Sequence, residues 1–124
     1  MYEVSVDETF AAAHNLRNYK GKCENLHGHN YKVRVTLAGR DLDASGLLYD
    51  FVHLKQAIQG VIRSLDHIYL NEFPPFDVWN PSAENIARYI YEQVARQLPK
   101  AENGAGIASV TVWESDVTAA TYRP

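Results

Sequence analysis

The stretch Cys23-Glu-Asn-Leu-His27-Gly-His29 holds the densest chemistry in the chain. In an extended segment, residues two apart project to the same side, so His27 and His29 aim both imidazoles at one point while Gly28 leaves the other side empty. A catalytic zinc ion takes three protein ligands and keeps a fourth position for water or substrate. His14 is the natural third ligand, because it ends a segment that reads as the strand pairing with the next one. The competing reading is a solvated His-Gly-His turn beside a core histidine. A thiol four residues before the pair shifts the balance, since one loop then supplies ligands together with a base or nucleophile. The neighbours of Cys23 are Lys22, Glu24 and Asn25, and such polar company argues against a thiol buried in an apolar core.

Three further sets of residues could do chemistry. Asp66-His67 follows an apolar helical segment; alone it reads as a helix-end histidine meeting terminal carbonyls, and beside a metal motif it becomes a carboxylate-tuned acid/base. Glu114 ends an otherwise apolar alternating strand, where an inward carboxylate is costly without a donor-rich partner. A guanidine-like ring edge is such a partner, because carboxylates bind that fork bidentately; an edge charge that discourages strand aggregation is the other reading. Arg17, Lys20 and Lys22 put cations on the Cys23 loop, which suits either a phosphorylated ligand or plain solvation. His53 reads as a surface residue, and Trp79 and Trp113 as packing residues.

The elements that must position these groups follow from periodicity. Val4, Val6 and Phe10 alternate with polar residues before the Ala11–Ala13 run, giving a strand over residues 2–13. Residues 14–29 read as a polar loop. Tyr31, Val33, Val35 and Leu37 alternate with Lys32, Arg34, Thr36 and Ala38, a half-buried strand closed by Gly39. Asp50 is placed to cap a helix whose apolar stripe is Phe51, Leu54, Ile58, Val61, Ile62 and Leu65. A Pro- and Asn-rich loop over residues 71–81 leads to Ser82, an N-cap for a second helix with Ile86, Ile90, Val94 and Leu98 buried, ended by Pro99. Residues 107–114 alternate again, and residues 119–123 can pair with them. Two strands, two helices and two strands predict an α+β fold, an antiparallel four-stranded sheet with both helices on one face.

Composition sets the outer bounds. The 124 residues leave room for one domain, residues 1–124, and 46% hydrophobic content is ordinary for a globular fold. Twelve basic against fifteen acidic side chains, a net charge of −3, argue against a broad nucleic-acid surface. Cys23 is the only cysteine, so no disulfide forms within the chain, which fits a reducing compartment. No stretch reaches the apolar length of a membrane span, and Met1-Tyr2-Glu3-Val4 lacks the basic and apolar regions of a secretion signal; the expectation is a cytoplasmic protein.

Taken in order, several motifs resemble the 6-pyruvoyl-tetrahydropterin synthase superfamily, and within it the bacterial 6-carboxy-tetrahydropterin synthases of queuosine biosynthesis. They are Phe10-Ala-Ala-Ala-His14, Cys23-Glu-Asn-Leu-His27-Gly-His29-Asn-Tyr, Gly46-Leu-Leu-Tyr-Asp50-Phe51, Leu65-Asp66-His67-Ile-Tyr-Leu-Asn71, Asn80-Pro-Ser-Ala-Glu84-Asn85 and Val112-Trp-Glu114. The resemblance implies the T-fold, assembled as trimers stacked into hexamers with active sites between subunits. It implies His14, His27 and His29 as zinc ligands, Cys23 as catalytic thiolate, Asp66 and His67 as its acid/base partners, and Glu114 as the pterin anchor. The implied substrate is 7,8-dihydroneopterin triphosphate. Three residues between Cys23 and His27 resemble the queuosine branch, whereas the animal-type pyruvoyl synthases have a longer gap. Glu24, three before His27, also completes the Glu-x-x-His-Gly-His pattern of a folate-pathway subgroup that releases 6-hydroxymethyl-dihydropterin, so Glu24 is a further substrate-site candidate. Ile68 stands where many relatives have a second His, and Ser82-Ala83 replaces the commoner Thr-Ser.

Overall fold

Alternation of apolar and polar residues builds a long first hairpin in the computed structural model, which describes residues 1–124. β1 (Tyr2–His14) pairs antiparallel with β2 (His27–Gly39), from Tyr2 opposite Gly39 to His14 opposite His27. Both strands reach further into the polar segment than their apolar residues alone predict. The ladder runs on through Ala12–His29 and Ala13–Gly28, so only residues 15–26 form the loop, and His27 and His29 stand on a strand rather than in it.

α1 (Phe51–Leu65) starts where the Asp50 side chain accepts the Val52 N–H at 2.8 Å, satisfying one of the free donors of a helix start. α2 (Ala83–Gln97) starts in the same way, with Ser82 Oγ accepting the Asn85 N–H at 3.2 Å. Leu54, Ile58, Val61, Ile62 and Leu65 bury the stripe of α1, and Ile86, Ile90 and Val94 that of α2. Phe51 departs from the predicted stripe: it is the first helical residue and its ring is 52% exposed.

β3 (Gly106–Ser115) and β4 (Thr118–Tyr122) complete a four-stranded antiparallel sheet of order β1-β2-β3-β4. Even-numbered residues of β1 and odd-numbered residues of β2 face the helices, as do Val110 and Val112 of β3, so Phe10, Ala12, Tyr31, Val33, Val35, Leu37, Val110 and Val112 meet the two helical stripes in a single core. The other face is polar, with Arg34 bidentate on Asp7 and the Lys32 ammonium 4.2 Å from the Trp113 ring centre. The connection after α1 sends Leu70 and Phe76 into the core, both with no exposed surface. No helix is long and apolar enough to cross a membrane.

Candidate metal centre and its surroundings

The β1–β2 register places His14 opposite His27 and Ala12 opposite His29, all on the helix-facing side. The same alternation that buries Phe10 and Tyr31 therefore carries three imidazoles to one end of the core. Their ligand nitrogens lie within 4.8 Å of one another, and no other His, Cys, Asp or Glu joins the cluster. His14 is almost wholly buried, while His27 and His29 are half-buried.

Hydrogen bonding fixes how two of the rings present themselves. His14 Nδ1 is 2.7 Å from the Pro81 carbonyl, and His27 Nδ1 is 2.7 Å from the Asn25 carbonyl. A carbonyl only accepts, so both Nδ1 atoms carry the proton and both Nε2 atoms present bare lone pairs. Those two Nε2 atoms are 2.9 Å apart. Two lone pairs at that distance repel unless a cation lies between them. Burial holds the His14 ring below the ordinary imidazole range of 6.5, against a smaller opposing pull from the Pro81 carbonyl, so a proton is a poor occupant. Burial lowers His29 as well, opposed by the negative charge of Glu114.

A divalent metal fits the donor set. Neutral imidazoles held by backbone carbonyls are the usual outer-shell arrangement of a His-bound metal, and nitrogens about 2 Å from a tetrahedral ion stand roughly 3.3 Å apart. His14 and His27 need to open by only a few tenths of an ångström from their 2.9 Å separation. Three imidazoles leave a fourth position for an outside ligand.

Glu114 lies beside this cluster. The β2–β3 ladder ends at Lys32–Trp113, and continuing it by one residue sets Glu114 opposite Tyr31 on the helix-facing side. A bulge between Trp113 and Ser115 interrupts pairing with β4 at that point, and bulges re-aim the side chain they carry. Glu114 thus opens into a recess of about 430 Å³ shared with Leu16, Ser82, Ala83 and Thr121. Between Glu114 and the triad lies Tyr31, fully buried, its ring edge-on to His14 and His29 at 5.9 and 5.4 Å. Its hydroxyl has no hydrogen-bond partner. Burial, reinforced by Glu114, pushes its ionisation far above the ordinary phenol range, so it stands as a neutral donor.

Cys23 sits in a single 3-10 turn, Lys22–Glu24, half-buried, its carbonyl accepting the Leu16 N–H at 2.7 Å; Glu24 beside it is exposed. Arg17 is committed to structure: one guanidinium nitrogen donates to the Phe76 and Trp79 carbonyls at 2.6 and 2.9 Å, which leaves Lys20 and Lys22 as the exposed cations of this loop.

Asp66 and His67 do form a pair, His67 Nδ1 donating to Asp66 Oδ1 at 2.9 Å; neither is among the clustered ligand atoms, and His67 lines a recess of about 490 Å³ with Ala11, Ala13, Gly28, His29 and Asn30. Asp66 also accepts the Ala11 N–H at 2.9 Å and His67 N–H donates to the Ala11 carbonyl, so the dyad is latched to the outer edge of β1. The Ala11 bond, then His67, holds the Asp66 carboxyl below the usual carboxylate range. His67 adopts a left-handed backbone with φ 60° and its ring is 81% exposed. Sequence reasoning gave no site role to Tyr31, Asn71, Asn80 and Pro81; they entered it only as members of the resemblance motifs, Tyr31 also as a strand residue and the last three also as part of the Asn- and Pro-rich stretch over residues 71–81.

An antiparallel sheet with two helices on one face and a three-imidazole cluster at its open end defines a T-fold protein with a candidate metal site. The chain belongs to the 6-pyruvoyl tetrahydropterin synthase family, whose model matches residues 3–124. It is 36% identical to the 6-carboxy-5,6,7,8-tetrahydropterin synthase of Bacillus subtilis, over 99% of this chain and 86% of that protein. It is 32% identical to the dihydroneopterin monophosphate aldolase of Pyrococcus furiosus, over 87% of this chain and 85% of that one. Among solved structures, Caenorhabditis elegans 6-pyruvoyl tetrahydropterin synthase superposes with a TM-score of 0.89 at 29% identity, covering 99% of this chain and 95% of that chain.

Proposed function

We propose that the chain is a zinc-dependent 6-carboxy-5,6,7,8-tetrahydropterin synthase. It is read as a carbon–carbon lyase converting 7,8-dihydroneopterin triphosphate and one water into 6-carboxytetrahydropterin, acetaldehyde and triphosphate, in the cytoplasm, as a step of queuosine (7-deazaguanine) biosynthesis. The observation that carries this reading is the pair of bare Nε2 atoms of His14 and His27, 2.9 Å apart beside His29, which calls for a cation. The similarity to the Bacillus subtilis protein of that name supports the branch.

His14, His27 and His29 would hold the zinc, which when bound would supply Lewis-acid polarisation of the substrate's side-chain hydroxyls and favour proton loss from the adjoining carbons. Glu114 grips the guanidine-like edge of the pterin in its recess and sets the side chain towards the triad. Cys23 Sγ takes and returns a proton at the side-chain carbon. Asp66 holds the Nδ1–H of His67, leaving His67 Nε2 as the atom that exchanges a proton with a substrate hydroxyl. Because that ring is 81% exposed on the β1 edge and outside the metal cluster, we assign it to the site of a neighbouring copy, in a hexamer of two stacked trimers.

A second reading has its own support. Glu24 follows Cys23 on the same exposed turn, and a relative named as an aldolase stands at 32% identity; with Glu24 as the base, the product is 6-hydroxymethyl-7,8-dihydropterin. The test is to incubate the zinc-loaded protein with 7,8-dihydroneopterin triphosphate and identify the pterin by mass spectrometry. A 6-carboxy product with acetaldehyde is expected. A 6-hydroxymethyl product assigns the chemistry to Glu24, a 6-pyruvoyl product to the pyruvoyl branch, and no turnover makes the chain a pterin- or metal-binding module. Cys23→Ala should keep its zinc and lose turnover.

A further inference from the structure

His14 ends β1, and the chain beyond it must deliver Cys23 to the same neighbourhood through a loop with no regular structure between residues 15 and 21. Two carboxamides from the α1–α2 connection hold the start of that loop. Asn71 Oδ1 accepts the Asn15 N–H at 3.0 Å and Asn71 Nδ2 donates to the Asn15 carbonyl at 2.9 Å. Asn80 repeats the pattern two residues on: Oδ1 accepts the Arg17 N–H at 2.8 Å and Nδ2 donates to the Arg17 carbonyl at 2.7 Å. Each side-chain amide thus imitates a strand neighbour, satisfying both main-chain groups of one residue.

Asn80 differs from Asn71 in what else it holds. Its own carbonyl accepts Asn85 Nδ2 at 2.9 Å, tying it to the first turn of α2, and the next residue, Pro81, supplies the carbonyl that receives His14 Nδ1–H. On its other side the pinned Arg17 flanks Leu16, whose N–H reaches the Cys23 carbonyl. One amide therefore lies between the partner that orients a metal ligand and the contact that seats the thiol turn.

We propose that Asn80 is a positioning residue that registers the His14 ring and the Cys23 turn against each other, so that metal affinity and thiol placement depend on the same side chain. This deepens the metal and thiol roles proposed above and rests on them. Nothing in it requires Asn80 to touch substrate. Outer-shell partners of a metal-bound histidine typically change metal affinity or activity by about 10- to 100-fold when removed.

The test is made without substrate, so that its outcome separates from that of the lyase reading. Zinc affinity is measured by competition with a chromophoric chelator, the cobalt-substituted absorption spectrum is recorded, and alkylation of Cys23 by iodoacetamide is timed in metal-free protein. For Asn80→Ala we expect zinc affinity to fall about tenfold or more, the cobalt bands to move, and Cys23 to react several-fold faster as its turn loosens, with an unchanged far-ultraviolet circular dichroism spectrum. Asn71→Ala should loosen the loop and leave zinc affinity closer to that of the parent. Unchanged affinity and unchanged alkylation in Asn80→Ala overturn the proposal. If Asn80→Ala does not fold, Asn80→Asp decides, since it keeps the acceptor for Arg17 N–H and loses the donor to the Arg17 carbonyl: a fall in affinity supports the role and parental affinity overturns it. A parent that binds zinc and forms no pterin product overturns the lyase reading alone.

Discussion

At the scale of single residues, two of the three imidazoles are useful because of what lies behind them. A histidine exposed to water could take either tautomer, whereas carbonyls at Pro81 and Asn25 commit His14 and His27 to one. His27→Ala should therefore abolish stoichiometric metal, read by elemental analysis of purified protein, while Glu114→Ala should retain metal and weaken pterin binding in a calorimetric titration. Protonation gives an independent check. His14 and His29 are held below their ordinary value of 6.5 by burial, so around pH 6 the folded metal-free chain binds fewer protons than the unfolded one. Unfolding free energy then rises with pH through that window: the contribution is full above about pH 6.5 and lost below it. Denaturant midpoints of metal-free protein at pH 5.5 and 7.5 should show the lower value at pH 5.5, and His14→Phe should flatten the difference.

At the scale of elements, apolar periodicity was sufficient for both helices and their caps, because Asp50 and Ser82 precede uninterrupted stripes. It was insufficient for the ends of the first hairpin. His27, Gly28, His29 and Asn30 lack strand-like apolarity, and the imidazoles face inwards through the strand register rather than through hydrophobicity. The segment between the helices was the least legible part. Its contributions act across 55 to 67 residues of sequence, with Asp66 on Ala11, Asn71 on Asn15, Asn80 on Arg17 and Pro81 on His14, and no local pattern reports such separations. Phe76 shows the energetic weight of that segment: it is fully buried and packs on Tyr89 at 5.2 Å between ring centres. Phe76→Ala should cost about 3–5 kcal/mol in urea-monitored unfolding, far more than an ordinary loop substitution.

At the scale of the whole molecule, one copy carries the three-imidazole cluster, the thiol turn and the Glu114 recess, and it carries the Asp66–His67 dyad on an edge facing outwards. Under the proposed assembly, these halves belong to different active sites. Cys23→Ala and His67→Ala should then each be inactive alone, and co-refolding them in equal amounts should restore about a quarter of the sites, as random neighbours in a closed ring require. Absence of any recovery by turnover assay would place both groups in one copy's site. The free edges point the same way: β4 ends at Tyr122 opposite Val110, which leaves the start of β3 without a neighbour on that side.

The fold around the triad is carried by one apolar core and by the chain's own amide and carbonyl pairings, none of which a metal supplies. On the proposed reading, metal is thus a guest of this fold and not its keystone, unlike a zinc finger, whose chain is unstructured until loaded. Stripping with a chelator should leave the circular dichroism spectrum in place and lower the melting temperature only by the amount that ligand release dictates. Such a host should allow its metal to be removed, replaced with cobalt or nickel and removed again, so its occupancy in a cell would follow the local supply of ions and not the history of its folding.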